Sequence, residues 1–159
     1  MADLTHIDEH GNARMVDVGD KPMTPRTAVA VGHITLGAEA HAAVAERRVK
    51  KGDVLAVAQL AGIQAAKRTS DLVPLCHPLP LDGVTVQLEL KDDRVACTAT
   101  VRTTWRTGVE MEALTCVSAA LLTVYDMLKA VDKSLVIHGV QLVEKSGGRS
   151  GHFKRAPRD

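Results

Sequence analysis

The chain has 159 residues, a formal net charge of +1 and 45% hydrophobic residues. This length suits one domain with a real core, while the near-neutral charge offers no global field that would recruit nucleic acid or a membrane. Aromatic residues make up only 2% of the chain, which disfavours proteins that bind single-stranded nucleic acid by stacking bases on aromatic rings.

The cysteines indicate a reducing compartment. Cys76, Cys97 and Cys116 are odd in number, far apart and without a Cys-x-x-Cys pair, which argues against a disulfide framework and against structural zinc. No stretch reads as a membrane span or a signal peptide. We therefore expect a cytoplasmic protein with no membrane or nucleic-acid partner.

The chain begins with a segment that has no periodicity. Residues 1–13 are polar and charged, so we expect them to be mobile until a partner orders them. Residues 15–18 predict a short strand. Residues 26–36 alternate regularly but carry apolar side chains on both faces, which predicts a strand that is covered on both sides or lies at an interface.

Two helices are predicted next, at residues 38–47 and 54–68. Gly62 inside the second helix costs about 1 kcal/mol relative to alanine, which indicates close approach of another backbone. Lys50 and Lys51 precede the start of this helix, where the helix dipole disfavours cations. Either an anion docks at the free amides of that helix end, or the two lysines belong to a solvated loop.

The stretch at residues 72–80, LVPLCHPLP, is a stiff loop. Its prolines fix φ and push the preceding residues towards extended geometry, so His77 is presented on a rigid support. Such a loop can position a reactive imidazole, although a connector with a merely exposed histidine has the same composition. Cys76 and His77 alone make a weak metal site, because no second ligand pair stands at metal-ligand spacing.

The second half predicts a hairpin, a long helix and a last strand. The hairpin strands are at residues 83–90 and 95–104, the helix at 110–131 with a capping box from Thr107 to Glu110, and the strand at 135–145. The order of elements is the ferredoxin-like βαββαβ pattern, an α+β fold whose antiparallel sheet carries helices on one face. The predicted domain spans residues 14–153, and residues 154–159 form a basic disordered tail.

The long helix predicts two buried faces. One stripe is apolar throughout, and the opposite stripe runs from Glu112 to Asp126 and is apolar only in its middle, so that another subunit could cover it. Asp126 shares a face with Lys129, either as an ordinary surface ion pair or as an acid–base pair at a partly buried edge. Glu112 and Asp126 of one chain can serve one site only if subunits pack antiparallel.

Residues 145–151, KSGGRSG, combine flexible glycines, hydroxyls and cations, a composition that suits phosphate but equally suits a flexible tail. Cations from distant parts of a neutral chain, one imidazole and one helix carboxylate together indicate an enzyme that acts on a phosphorylated, acid–base-sensitive small molecule. These cations are Arg26, Lys51, Lys67, Lys129, Lys145 and Arg149.

Four motifs carry a resemblance to a known family. KRTSDLVPLCHPL at 67–79, GVEMEALT at 108–115, YDMLKA at 125–130 and KSGGRSG at 145–151 resemble the molybdenum cofactor biosynthesis protein C family, the cyclic pyranopterin monophosphate synthases. The similarity runs from about residue 14 to 153. It implies a ferredoxin-like lyase that converts 3′,8-cyclo-7,8-dihydro-GTP into cyclic pyranopterin monophosphate and releases pyrophosphate.

The resemblance also implies an assembly and roles for residues. It implies a homohexamer built as three dimers, with active sites at the dimer interfaces, no cofactor, and an open question whether Mg²⁺ accompanies the triphosphate. Asp126 would be the principal acid–base residue and Lys129 its partner. The substrate site would be lined by Leu75, Cys76, His77, Met111 and Glu112. The triphosphate would be held, or proton transfer assisted, by Arg26, Lys51, Lys67 and Lys145.

Two positions depart from the family pattern, and one other class of function stays open. Arg149 and Leu128 stand where relatives often have lysine and cysteine, so the first keeps a cation and the second indicates that no thiol is required there. The alternative is a catalytically silent oligomeric module that binds nucleotides or phosphorylated metabolites. A mere binder would not need the Asp126–Lys129 pair.

Overall fold

The structure, a computed structural model, describes residues 6–156. Sequence-based predictions for residues 1–5 and 157–159 fall outside the described residues. The elements in chain order are β1 Thr24–Thr35, α1 Ala38–Ala45, α2 Val54–Ala66, α3 Thr69–Leu72, β2 Gly83–Leu90, β3 Arg94–Trp105, α4 Glu110–Leu128, β4 Val136–Ser146 and β5 Phe153–Lys154.

The strands form one antiparallel sheet in the order β2-β3-β1-β4-β5. Its first four members give the ferredoxin-like arrangement that the order of elements predicted. The β2–β3 hairpin forms as expected, with Val84 opposite Val101 and Leu90 opposite Val95. The short strand β5 adds to the outer edge of β4 and returns the chain alongside Glu144 and Lys145.

The core lies between this sheet and the helices α2 and α4. Alternate residues of β1 and β3 point at the helices and are almost fully buried, as period-2 strands require. From α4, Val117, Leu121, Val124 and Leu128 are fully buried, which confirms four of the five positions of the predicted apolar stripe. Their burial against the sheet fixes both the position and the rotation of α4.

The second faces of β1 and α4 are open in the single chain. Val29 and Val31 of β1 are only half-buried on the side of the sheet away from the helices. On α4, Leu122 is 61% exposed, and on α2, Leu60 is 67% exposed. In the single chain, the predicted burial of both faces is therefore incomplete.

Three local predictions are wrong. Residues 15–18 form no strand, because they lie along the wall of a pocket where His77 bonds to the carbonyl of Val16. The capping box is also not formed. The N-cap of α4 is Val109 without a side-chain bond, since the Glu110 carboxylate bonds to Lys145 instead. Helix α4 ends at Leu128, three residues earlier than predicted.

By length and composition, α4 is apolar enough to cross a membrane, contrary to the sequence-based expectation. Half of the relevant window is buried inside the domain, as expected for the central helix of a core. Within residues 6–156, the structure therefore gives no indication that this is a membrane protein.

Gly62 confirms the expected close approach of backbones. A Cβ at this position would lie 3.1 Å from the backbone oxygen of Cys116 and 3.2 Å from its sulfur. These contacts set the separation of α2 and α4, which run antiparallel.

We expect Gly62→Val to lower the free energy of unfolding by about 1–3 kcal/mol, because the added side chain pushes the two helices apart. Urea denaturation measures the change. The matched control is Ala56→Val on the exposed side of the same helix, which carries only the propensity cost of about 0.5 kcal/mol. Equal losses in the two variants would contradict tight packing at Gly62.

Candidate active site

The proline-rich loop forms one wall of a cavity of about 550 Å³, which we call the histidine pocket. The Nε2 atom of His77 in this loop lies 2.6 Å from the carbonyl oxygen of Val16, and this contact holds the imidazole ring in place. The pocket is lined by His6, Val16, Val18, Lys21, Val73, Leu75, Cys76, His77, Leu79, Thr107, Gly108, Glu110, Met111 and Glu112. The structure thus brings together five residues predicted for the substrate site: Leu75, Cys76, His77, Met111 and Glu112.

Glu112 is the buried acid of this pocket. It lies in the first turn of α4 and is 5% exposed. Burial, with a smaller contribution from the nearby Glu110, raises the pKa of its carboxyl to about 7. Burial also raises the pKa of the Cys76 thiol, with a contribution from Glu112. The site therefore holds a carboxyl that can give or take a proton near neutral pH.

We expect Glu112→Gln to stabilise the fold at about pH 8 by roughly 2 kcal/mol. The folded chain keeps the Glu112 proton at pH values between 4.5 and about 7, where the unfolded chain has released it. The stability from protonated Glu112 is therefore complete below 4.5 and is lost as the pH rises through about 7. Glutamine stays neutral at every pH, so the variant does not lose stability as the pH rises.

Urea denaturation at several pH values checks this expectation. The gain should vanish near about pH 4, where the carboxyl is protonated in both states. The exposed Glu89→Gln variant is the control and should show no comparable gain. A Glu112→Gln gain that does not depend on pH would contradict the assignment.

Next to the histidine pocket lies a cation corner, formed by Arg26, Lys145 and the loop at 147–150. The ammonium of Lys145 lies 3.0 Å from a Glu110 carboxylate oxygen and 2.9 Å from the Ser150 hydroxyl. Arg26 donates to the carbonyls of Trp105 and Arg106. Glu110, which lines the histidine pocket, therefore joins the two regions.

The glycines of this loop are required by its geometry. Gly147 and Gly148 both have positive φ, and a Cβ on Gly148 would overlap the Arg26 guanidinium. A smaller cavity of about 220 Å³ opens here, lined by Lys21, Pro22, Thr24, Arg26, Gly148 and Arg149. The Thr24 hydroxyl is buried without a hydrogen-bond partner. Clustered cations and an unpaired hydroxyl suit a phosphate-bearing ligand.

At the opposite end of α4, three residues form the aspartate cluster. The Asp126 carboxylate lies 2.9 Å from the Lys51 ammonium and 2.8 Å from that of Lys129. Hydrogen bonds from Lys129 and then Lys51 lower the pKa of Asp126 to about 2. All three side chains are about half exposed. In the single chain, Asp126 is therefore an ionised carboxylate at the surface and not the partly buried group that was expected.

The structure also explains Lys51, which precedes α2. Asp53 caps this helix by accepting from the amide of Ala56 at 3.1 Å, and Lys51 reaches the carboxylate and carbonyl of Asp126. Residues 50–53 are exposed and lie outside helices and strands, as the solvated loop predicted, but Lys51 in addition has a partner that neither alternative included, a carboxylate 75 residues away in the sequence. No spacing rule could have found this pair.

The predicted site residues thus fall into two groups. Glu112 and Asp126 are separated by 14 positions on one helix, about 21 Å. Lys67 is the C-cap residue of α2, which runs antiparallel to α4, so Lys67 lies at the Glu112 end. Sequence reasoning missed Glu110 as the partner of Lys145, and Val16 and Lys21 as pocket residues. Within residues 6–156, no group of three or more potential ligands could hold a metal ion.

Comparison with known proteins shows a consistent set of relatives. The family described as "MoaC family" matches residues 15–148. A protein of Thermomicrobium roseum is 59% identical over 157 residues, covering 98% of this chain and 95% of its own length. One of Novosphingobium aromaticivorans is 57% identical, covering 98% and 99%, and one of Brevibacillus brevis is 54% identical, covering 96% of each. All three carry the name cyclic pyranopterin monophosphate synthase.

Proposed function

The chain belongs to the MoaC family, and from this membership we propose how its two residue groups act. The function is that of a cyclic pyranopterin monophosphate synthase, a lyase of molybdenum cofactor biosynthesis. Its proposed substrate is 3′,8-cyclo-7,8-dihydro-GTP, which is rearranged to cyclic pyranopterin monophosphate with loss of pyrophosphate.

One observation supports this reaction most directly: a pocket with groups suited to proton transfer joins a corner of cations. Rearranging the pterin precursor requires protons to move at nitrogen and at sugar oxygens. We assign this work to Glu112 and His77 because both line the histidine pocket. Releasing pyrophosphate builds negative charge on the leaving group, which Arg26 and Lys145 would stabilise. The proposed pose places the purine-derived rings in the histidine pocket and the phosphates in the cation corner.

The aspartate cluster completes this site only in an oligomer. We assign Asp126 the principal acid–base role and Lys51 and Lys129 the task of setting its charge. Because these residues lie about 21 Å from Glu112 on the same helix, they reach a pocket only on a second copy packed antiparallel. Lys67 would contact the substrate from the pocket side.

The exposed apolar residues of the helix layer support such a dimer. Val57, Leu60 and Leu122 are exposed on α2 and α4, and burying them removes apolar surface from water. Three such dimers would make the hexamer that the family resemblance implies. The proposed reaction has no redox step, so we propose that the enzyme needs no organic cofactor. We further propose that it acts in the cytoplasm.

The test is turnover by the purified full-length chain. We expect incubation with the cyclised nucleotide to release pyrophosphate and cyclic pyranopterin monophosphate in equal amounts. Repeating the assay with a chelator decides whether Mg²⁺ accompanies the triphosphate. Binding without turnover would favour the silent binding module instead.

A further inference from the structure

The segment that precedes β1 is a hydrogen-bonded part of the histidine pocket, although it contains no long strand. Ile7 and Ala13 form an isolated bridge, and the Asp8 carboxylate accepts the amides of His10 and Asn12. Further along, Asp17 accepts the amide of Gly19 at 2.7 Å. These bonds hold residues 14–18 beside the ring of His77.

The contact between this segment and His77 determines the tautomer of the imidazole. A backbone carbonyl can only accept a hydrogen bond, so the Nε2 atom that lies 2.6 Å from the Val16 oxygen must carry a proton. In a neutral imidazole the lone pair then belongs to Nδ1. The hydrogen bonds within residues 6–156 provide no partner for Nδ1.

We propose that the Val16 carbonyl is a positioning group that holds His77 as the Nε2–H tautomer, so that Nδ1 is the atom that accepts a proton from the substrate. This proposal rests on the proposed function and adds the direction of transfer. A proton leaves a substrate O–H or N–H for Nδ1, and its bonding electron pair stays on the substrate heteroatom. The Val16 dipole stabilises the imidazolium until the proton is returned.

The geometry also excludes a role for Nε2 while this contact is intact. A proton carried on Nε2 faces the protein backbone and not the cavity, so Nε2 can neither take nor give a proton to a bound ligand. The acidic partner in the same pocket is Glu112, which is buried and whose raised pKa of about 7 lets it carry a proton near neutral pH in part of the molecules. His77 and Glu112 therefore present a base and an acid to the same cavity.

The first experiment is nitrogen NMR of the full-length chain with labelled histidine at about pH 8, above the usual imidazole range. The seven histidines are distinguished by the spectrum of His77→Gln, which lacks one ring. We expect His77 to show a protonated Nε2 and an unprotonated Nδ1. A ring protonated at Nδ1 would overturn the proposal, and this measurement needs no substrate.

The second experiment displaces the carbonyl without touching His77. One glycine inserted between Met15 and Val16 should mix the two tautomers and lower kcat roughly tenfold, the effect of one lost hydrogen bond, with little change in KM. The matched control is one glycine inserted between Asp92 and Asp93, at the exposed tip of the β2–β3 hairpin and away from the histidine pocket, and it should change neither quantity.

The outcomes separate a positioning role from a purely structural one. A fall in kcat with His77 still in the Nε2–H form would overturn the proposal. So would an unchanged kcat with mixed tautomers. If the insertion prevents folding, the NMR result on the unaltered chain still decides the tautomer. An inactive but folded unaltered chain would refute the proposed function and leave the tautomer result standing.

Discussion

Replacing Asp126 with asparagine should abolish turnover while the fold and the affinity for substrate stay nearly intact. Asparagine keeps the shape of the side chain and can still accept hydrogen bonds from Lys51 and Lys129. It removes the charge that pairs with both ammonium groups at 2.9 and 2.8 Å. We expect kcat to fall by about 10³-fold or more, as general acid–base groups typically contribute 10²–10⁴-fold.

Steady-state kinetics and a binding assay with the cyclised nucleotide measure the two quantities separately. The matched control is Glu46→Gln, which breaks another exposed ion pair, with Arg48, away from either residue group. It should leave kcat unchanged. Full activity in the Asp126→Asn variant would refute the catalytic assignment. Equal losses of kcat in both variants would indicate a general loss of stability.

The second large effect is the recovery of activity when two inactive chains are mixed. His77→Ala removes the pocket histidine, and Asp126→Asn disables the aspartate cluster at the other end of α4. If each site takes its pocket from one chain and its aspartate from another, a mixed dimer contains one intact site. Random exchange of subunits should then restore about a quarter of the activity of the unaltered protein.

Co-expression with two different tags allows the mixed oligomers to be isolated and assayed. The control pairs Asp126→Asn with the double variant His77→Ala/Asp126→Asn, a mixture in which no dimer can form an intact site. It should stay inactive. Purified mixed oligomers without recovered activity would contradict a shared site. A stable monomer at micromolar concentration in sedimentation would contradict it as well.

The histidine pocket shows what local patterns can predict. The prolines around His77 predicted a stiff loop, and the loop does place the imidazole in a cavity beside Glu112 and Met111. The strand and helix periods predicted the sheet, because each element buries one face and the periods of 2 and 3.6 residues mark that face. The same patterns misassigned residues 15–18, where the Val16 carbonyl bonds to the His77 side chain and not to a strand.

The aspartate cluster shows the limit of such patterns. Lys129 was expected beside Asp126 because three positions along a helix face the same way. Lys51 was expected before a helix start, beside a docked anion or in a solvated loop, and the family resemblance implied that it holds the triphosphate or assists proton transfer. The pairing of Lys51 with Asp126 requires that α2 lies antiparallel to α4. The two helices can approach closely because Gly62 has no side chain where it faces Cys116. The low pKa of Asp126 follows from both lysines and could not be read from one.

The sequence by itself determined the family, the ferredoxin-like order of elements and the types of residue that carry the chemistry, since these depend on local pattern and composition. Only the tertiary structure decided which of those residues lie at each end of α4. The packing of one long helix places His77, Glu112 and the cation corner at one end, and Lys51, Asp126 and Lys129 at the other. Distances across a fold arise from packing between elements, and no local spacing encodes them.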